Sequence, residues 1–123
     1  MNCRTRDGLS ITQLGERLDL TVRRGVTVGP YRHTMRKSDG TLYDLTGHTV
    51  TGQVRGPDDT LVAEFTINMP SPVDGWYEFS IASDELLTVP PGTYSYDTEM
   101  RMPDDTVVPL YYGMFNLKPE VTK

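Results

Sequence analysis

The sequence predicts an all-β protein, an antiparallel β-sandwich of about seven to eight short strands. Three observations lead to this prediction. Apolar and polar residues alternate over many short segments, which is the period of a strand with one buried face. The 11 glycines and 9 prolines are many for a chain of 123 residues and imply frequent turns. Turn signals recur about every eight to twelve residues, a spacing typical of β-sandwiches.

The strand pattern assigns the inward and outward faces. In the first strand, we expect Leu18, Leu20 and Val22 to face inward. The aromatic residues expected in the core are Tyr77, Phe79, Tyr94, Tyr96 and Phe115. The segments with strand character are 17–23, 31–36, 42–45, 48–55, 61–67, 76–81, 94–102 and 107–117.

Two glycines and one short segment interrupt this pattern. Gly52 shares a face with inward valines, so either a large side chain packs over it or the strand bends there. Gly113 lies within the last strand and predicts a β-bulge. A short helical turn is predicted near 83–89, because Ser83 can cap a helix and acidic residues follow it. Pro90 ends this turn.

A turn motif occurs three times in the chain. Each copy has Arg, two further residues, Asp, Gly or Asp, Thr and an aliphatic residue, and the copies span 36–42, 55–61 and 101–107. Asp-Gly and Pro-Asp-Asp are turn sequences, because Pro fixes φ, Asp bonds its own backbone and Gly accepts a positive φ. The motif therefore predicts three β-hairpin tips of one kind. Their predicted function is to form contact surfaces at the ends of the sandwich.

The tips also contain adjacent carboxylates, Asp58 with Asp59 and Asp104 with Asp105. Calcium requires six to eight oxygen ligands, and two neighbouring Asp side chains in a tight turn supply at most two. General acid–base catalysis needs carboxylates that face each other across a cleft, whereas neighbours along a tip point apart. We therefore interpret both pairs as turn structure and expect no metal site.

Charge is unevenly distributed along the chain. Residues 1–37 contain eight Lys or Arg against three Asp or Glu, although the whole chain has a net charge of −5. One interpretation is an ordinary mixed exterior after folding. The other is a basic end that meets an acidic surface of a neighbour. The candidate assembly contacts are Arg23, Arg24, Arg36, Lys37, Asp58, Asp59, Trp76, Asp104 and Asp105.

We expect one domain over residues 17–123, preceded by a flexible arm over residues 1–16 that orders against a partner. The arm is polar, and Ile11 and Leu14 are its candidate anchors. The one cysteine, Cys3, forms no internal disulfide, so the fold is expected to form in a reducing cytoplasm. No apolar stretch reaches the roughly 20 residues of a membrane span, and no signal-peptide pattern is present.

The sequence does not predict an enzyme. Ser80 and Ser83 lie in no nucleophile-elbow motif, and neither His33 nor His48 is near a glycine-rich oxyanion loop. We expect His33 to be a packed or rim residue. No phosphate-binding loop, dinucleotide fingerprint or Cys/His cluster is present. We therefore expect no cofactor, no small-molecule substrate, and, because the basic pairs are short, no nucleic acid.

Several stretches carry a resemblance to a known family. The runs 18–25, 38–47 and 51–55, the later run Pro91 to Asp97 and the closing segment from Gly113 resemble small immunoglobulin-like β-sandwich proteins of tailed bacteriophages. The resemblance covers roughly residues 17–123. The chain is similar to the N-terminal sandwich domain of baseplate proteins that hold receptor-binding proteins, a family with no catalytic residues to transfer.

The resemblance implies a structural component of the virion at the tail, baseplate or fibre attachment. Its expected partners are copies of itself and other virion proteins, and its expected location is the virion, after synthesis in the host cytoplasm. The alternative is a sandwich module that binds surface carbohydrate, with Trp76, Tyr111 and Tyr112 as stacking platforms. A host-directed inhibitor is a third hypothesis that the sequence neither supports nor excludes.

Overall fold

A computed structural model of the chain describes residues 15–120, and its secondary structure is almost entirely β. Nine strands are present in that range, together with one 3-10 helix at Pro72–Asp74. The predicted all-β class is confirmed. The strands are β1 (Glu16–Arg17), β2 (Leu20–Arg23), β3 (Val28–Thr34), β4 (Thr49–Arg55), β5 (Leu61–Glu64), β6 (Thr66–Asn68), β7 (Trp76–Ile81), β8 (Gly92–Arg101) and β9 (Val107–Lys118).

The strands form two sheets packed face to face. One sheet has the order β1-β9-β8-β4-β5, with β2 also paired to β9, and the other has the order β3-β7-β6. β1 and β2 pair in parallel with β9, and the remaining pairs are antiparallel. This division of strands between two sheets is that of an immunoglobulin-like sandwich. The predicted sandwich is therefore confirmed.

The core lies between the two sheets and follows from the alternating sequence. On β8, Tyr96, Thr98 and Met100 are buried and the residues between them are exposed. On β7, Tyr77, Phe79 and Ile81 are buried in the same way, since their neighbours face outward. The predicted inward aromatics are buried except the half-buried Tyr94, and Phe65 joins them where the chain passes from β5 to β6.

The connection between β7 and β8, where a short helical turn was predicted, consists of consecutive hydrogen-bonded turns. Residues 83–89 form turns in which the N–H groups of Glu85, Leu87 and Val89 bond to carbonyls three residues earlier. No α-helix forms there, because the prolines at 90 and 91 follow too closely. The hydroxyl of Tyr94 donates a hydrogen bond to the carbonyl of Pro90 at the start of β8. This is the tyrosine corner of immunoglobulin-like sandwiches.

The two strand glycines serve close packing. A Cβ at Gly52 would lie 2.8 Å from the Phe65 ring and 2.9 Å from the Thr98 methyl group, so the predicted large neighbour is present. The bulge predicted at Gly113 is wrong. The pairing of β8 with β9 shifts between Thr98 and Glu99, which leaves Leu110 as the extra residue, whereas Gly113 pairs regularly with Tyr96.

Gly113 instead lies where the backbone of Leu18 and Asp19, between β1 and β2, approaches β9 closely. The strand predicted over 17–23 breaks at Leu18, which is partly exposed rather than inward. The carboxylate of Asp19 accepts the N–H of Met114, and the hydroxyl of Tyr96 donates to the carbonyl of Leu18. These bonds hold the 18–19 backbone against β9 between β1 and β2.

We expect Gly113→Ala to destabilise the fold by about 1–3 kcal/mol through overpacking. A Cβ at 113 would lie 2.5 Å from the backbone oxygen of Leu18, which cannot move without breaking the edge pairing. Urea unfolding measures the effect. The matched control is Gly56→Ala, because the nearest atom to a Cβ there is 3.5 Å away. Equal stability of the two variants would contradict the proposed packing.

The N-terminal boundary of the domain lies earlier than the sequence predicted. Glu16, assigned to the arm, belongs to β1 and pairs with Tyr111, and the N–H of Gly15 bonds to the carbonyl of Pro109. The rest of the predicted arm, residues 1–14 with Cys3, Ile11 and Leu14, lies outside the described residues. The domain starting at 17 thus begins at least one residue earlier, at the first paired residue of β1.

Candidate assembly surfaces

The three repeated motifs fold into the same turn. In each tip the residue after Arg donates its N–H to the Thr carbonyl, at 2.8 Å in all three copies. The residue before Thr closes a second turn bond of 2.9–3.0 Å. That residue has a positive φ of 87° at Gly40, 65° at Asp59 and 69° at Asp105. This geometry is a type I turn followed by a left-handed residue, a common hairpin connection. The prediction of three like tips is confirmed.

The motif's Asp and Arg side chains stabilise the turn itself. The Thr N–H bonds to the Asp carboxylate in every copy, at 3.0 Å for Asp39, 3.2 Å for Asp58 and 3.0 Å for Asp104. Hydrogen bonds from the hydroxyl and the N–H of Thr60 hold the pKa of Asp58 below its ordinary value. The Arg55 guanidinium donates to the carbonyl of Asp59 at 2.9 Å. Turn structure therefore accounts for these residues.

The tips do not share one surface. β4 and β8 are antiparallel, with Thr49 opposite Arg101 and Arg55 opposite Ser95. The 55–61 tip, with Asp58 and Asp59, therefore lies at one end of the sandwich, and the 101–107 tip, with Asp104 and Asp105, lies at the other. Arg36 and Lys37 belong to the first tip, where the Arg36 guanidinium donates to the carbonyl of Gly40 at 2.9 Å.

We expect Asp59→Gly and Asp105→Gly each to raise stability by about 0.5–1 kcal/mol, because glycine adopts a positive φ without steric cost. The ion pairs that are lost, Arg55–Asp59 and Arg101–Asp105, are 3.8 Å long and exposed, so they contribute little. Thermal unfolding measures the gain. Gly40→Asp at the equivalent position is expected to change stability in the opposite direction. A loss of stability in both glycine variants would contradict this account.

Within the described residues, the arginines of the basic segment bind groups of the same molecule. Arg24 pairs with Glu120 at 2.7 Å and donates to the carbonyl of Val89 at 3.0 Å. Arg23 donates to the carbonyl of Pro119 at 3.2 Å. Arg17 pairs with Asp19 and Arg32 with Glu78, both at 3.2 Å. Of the two interpretations of the charge asymmetry, these contacts favour a mixed exterior over a free basic end.

The three aromatic residues of the carbohydrate hypothesis lie apart. Trp76 is on the outer face of the three-stranded sheet, where the Arg32 guanidinium stacks 3.7 Å from the ring centroid. Tyr111 points into the core and contacts the His33 ring at 4.6 Å between centroids. Tyr112 is exposed on the outer face of the six-stranded sheet. The structure therefore brings none of the three together as a stacking platform.

The outer face of the six-stranded sheet, which the sequence did not single out, carries a different group. Tyr112 and Met114 are 46% and 44% exposed, and they stand opposite Asp97 and Ser95 on β8. Beside them is a shallow depression of about 430 Å³. Its charged lining residues are Arg17, Arg55, Asp59 and Asp97. We call this group the outer patch, defined by Arg17, Gln53, Arg55, Asp59, Ser95, Asp97, Tyr112 and Met114.

The depression exists because short side chains lie between long ones. Ser95 and Asp97 form a low centre on β8, while Tyr112 and Met114 on β9 and Arg55 on β4 project around it. The Arg55 guanidinium is fixed by Gln53, whose side-chain oxygen accepts a hydrogen bond of 2.5 Å. The patch thus offers apolar, cationic and anionic groups on a rigid sheet.

A titratable side chain, that of His33, is buried inside the core. The His33 side chain is 2% exposed, and its Nδ1 shares a hydrogen bond of 2.9 Å with the Tyr77 hydroxyl. Its Nε2 has no hydrogen-bond partner in the part of the chain that the structure describes. Burial lowers the pKa of His33 to about 4, so the ring is neutral near pH 7. The prediction of a packed histidine agrees with this position.

Within residues 15–120, no group of three or more His, Cys, Asp or Glu side chains is placed to hold a metal ion. No helix of that range has the length and apolar character needed to cross a membrane.

Comparison with known proteins does not identify a family for the chain. No family model matches the chain, and a search of curated proteins finds no match. Among solved structures, the chain is similar to CopC from Methylosinus trichosporium OB3b, with 11% identity, coverage of 89% of each chain and a TM-score of 0.43. At this level the similarity supports no statement about function.

Proposed function

We propose that this chain is a structural component of a tailed-phage virion, at the tail, baseplate or fibre attachment, and acts through protein–protein contacts in a symmetric assembly. The proposal takes its biological setting from the resemblance noted in the sequence. The structural observation that supports it is the outer patch, where Tyr112 and Met114 stand exposed on a rigid sheet beside Arg17 and Arg55. Tyr, Met and Arg are the residue types enriched in protein interfaces.

The form of the site supports protein contact rather than ligand capture. The depression is shallow and lies on an open sheet face, whereas small-molecule sites are concave and enclose most of the ligand. The carbohydrate hypothesis required several exposed aromatic platforms. Only Tyr112 remains exposed of the three named residues, because Arg32 covers Trp76 and the core holds Tyr111.

The test is the composition of purified particles. Phage particles from cells that express the chain during infection would be banded on a density gradient and analysed by quantitative peptide mass spectrometry. We expect the chain in the particle band at a fixed copy number per particle. A chain that stays in the soluble fraction, while known head and tail proteins sediment with the particles, would overturn the proposal.

A further inference from the structure

We propose that the outer patch binds the outer patch of a second copy of this chain, face to face, across a two-fold axis. This inference rests on the proposed function in that a symmetric assembly needs a surface that recognises another copy. Three observations carry it: the contrast between the two outer faces of the sandwich, the charge balance of the patch, and the area of the sheet face on which the patch lies.

The two outer faces differ in chemistry. The outward residues of the three-stranded sheet are short or polar, such as Thr66, Asn68 and Ser80, and its one large aromatic side chain lies under Arg32. The six-stranded sheet instead exposes Tyr112 and Met114 side by side on its outer face. A large apolar pair with a polar surround is the arrangement of an interface core and rim.

The charge of the patch favours another copy of the same protein. The whole chain has a net charge of −5, so two copies repel each other on average. The depression is lined by two Arg and two Asp side chains, and its formal charges cancel. An isologous contact brings the same patch from both partners together, so Arg55 of one copy can meet Asp97 of the other, and the reverse. A patch of one sign could not pair with itself in this way.

The area meets the requirement for a specific dimer. The five neighbouring strands of this sheet span about 20 Å at about 4.8 Å per interval, and the ten residues of β8 extend about 30 Å. The face thus offers about 600 Å² to each partner, close to the roughly 800 Å² of a standard interface. We therefore expect a reversible dimer rather than an obligate one.

Sedimentation equilibrium of the full chain over about 1–500 µM tests the inference. The wild-type mass is expected to rise from the 13.8 kDa of a monomer toward twice that value. Tyr112→Arg places a third cation beside Arg17 and Arg55 at the centre of the contact, so its dimer dissociation constant is expected to rise at least tenfold, about 1.4 kcal/mol. Met114→Arg is a second, independent variant with the same expected effect.

The control is Ser80→Arg, which adds the same charge on the outer face of the three-stranded sheet and is expected to leave dimerisation unchanged. Near-ultraviolet circular dichroism of each variant establishes that it is folded. A wild-type chain that stays monomeric throughout, or arginine variants of the patch that dimerise like Ser80→Arg, would overturn the inference. If the chain is monomeric but present in particles, the inference of a dimer fails and the proposed function is kept. If the chain dimerises through the patch but is absent from particles, the proposed function fails and the inference of a dimer is kept.

Discussion

Phe79→Ala is expected to lower the free energy of unfolding by about 3–5 kcal/mol, the usual cost of removing a fully buried aromatic ring. Phe79 is 1% exposed. Its ring centroid lies 5.2 Å from Phe65, 5.4 Å from Tyr31 and 6.2 Å from Tyr111. Tyr31 belongs to the same sheet as Phe79, and Tyr111 belongs to the other. Removing the ring therefore opens a cavity at the junction of the two sheets.

Urea unfolding followed by fluorescence of Trp76, the one tryptophan, measures this loss. The matched control is Leu87→Ala, because Leu87 is an apolar residue with an exposed side chain. Its expected change is within about 0.5 kcal/mol. A loss below about 1 kcal/mol for Phe79→Ala would show that β7 does not pack as described.

The parts of the fold that could be predicted depend on local chemistry. Each hairpin tip is determined by a few neighbouring residues, since Asp58 bonds the N–H of Thr60 and the next position accepts a positive φ. Alternation along β8 assigns Tyr96 and Met100 to the core for the same local reason. At Gly52 the sequence left two interpretations, a large neighbour or a bend, and only the tertiary structure shows that the neighbour is Phe65.

The parts that could not be predicted depend on contacts between distant residues. The segment 61–67 alternates without interruption, but β5 and β6 belong to different sheets, and the chain changes sheet at Phe65. Nothing in the local pattern marks that crossing. Gly113 was predicted to be a bulge, whereas it allows the close approach of Leu18, 95 residues earlier.

The outer patch was missed for the same reason. Alternation places Tyr112 and Met114 on an outward face, but it cannot show which residues of other strands stand beside them. Asp97 lies next to Tyr112 because of the β8–β9 register, and that register includes the extra residue Leu110. By contrast, Trp76 was predicted as a contact because alternation places it on the outward face of its strand, and only the structure shows that Arg32 covers it.

Stability is expected to fall by about 3 kcal/mol as the pH decreases from 6.5 to 4, because of His33. Its pKa is about 4 in the folded protein, against 6.5 for an exposed histidine. Between these values the unfolded chain binds a proton that the folded chain does not, so acid favours unfolding by about 1.4 kcal/mol per pH unit. The loss begins as the pH falls through 6.5 and is complete only below about pH 4. Urea midpoints measured across this range test it.

The surroundings of His33 explain why its imidazole ring stays unprotonated in the folded protein. The ring lies between Tyr77 of its own sheet and Tyr111 of the other, and these neighbours carry no charge near neutral pH. A charged imidazole there would lack both water and an anionic partner, and both phenols resist ionisation because burial raises the pKa of each hydroxyl.

Two variants separate this effect from other acid effects. His33→Phe removes the titrating ring and is expected to flatten the loss of stability between pH 6.5 and 4. His48→Gln is the control, because His48 lies partly exposed beside Tyr43 and its change is expected to leave that loss intact. The carboxylates of the hairpin tips affect stability in a lower pH range. Hydrogen bonds from Thr41 and Thr60 lower the pKa values of Asp39 and Asp58, so their contribution is present above pH 3.8 and is lost only below it. A loss confined to that lower window in the wild-type protein would mean that His33 is not buried as described.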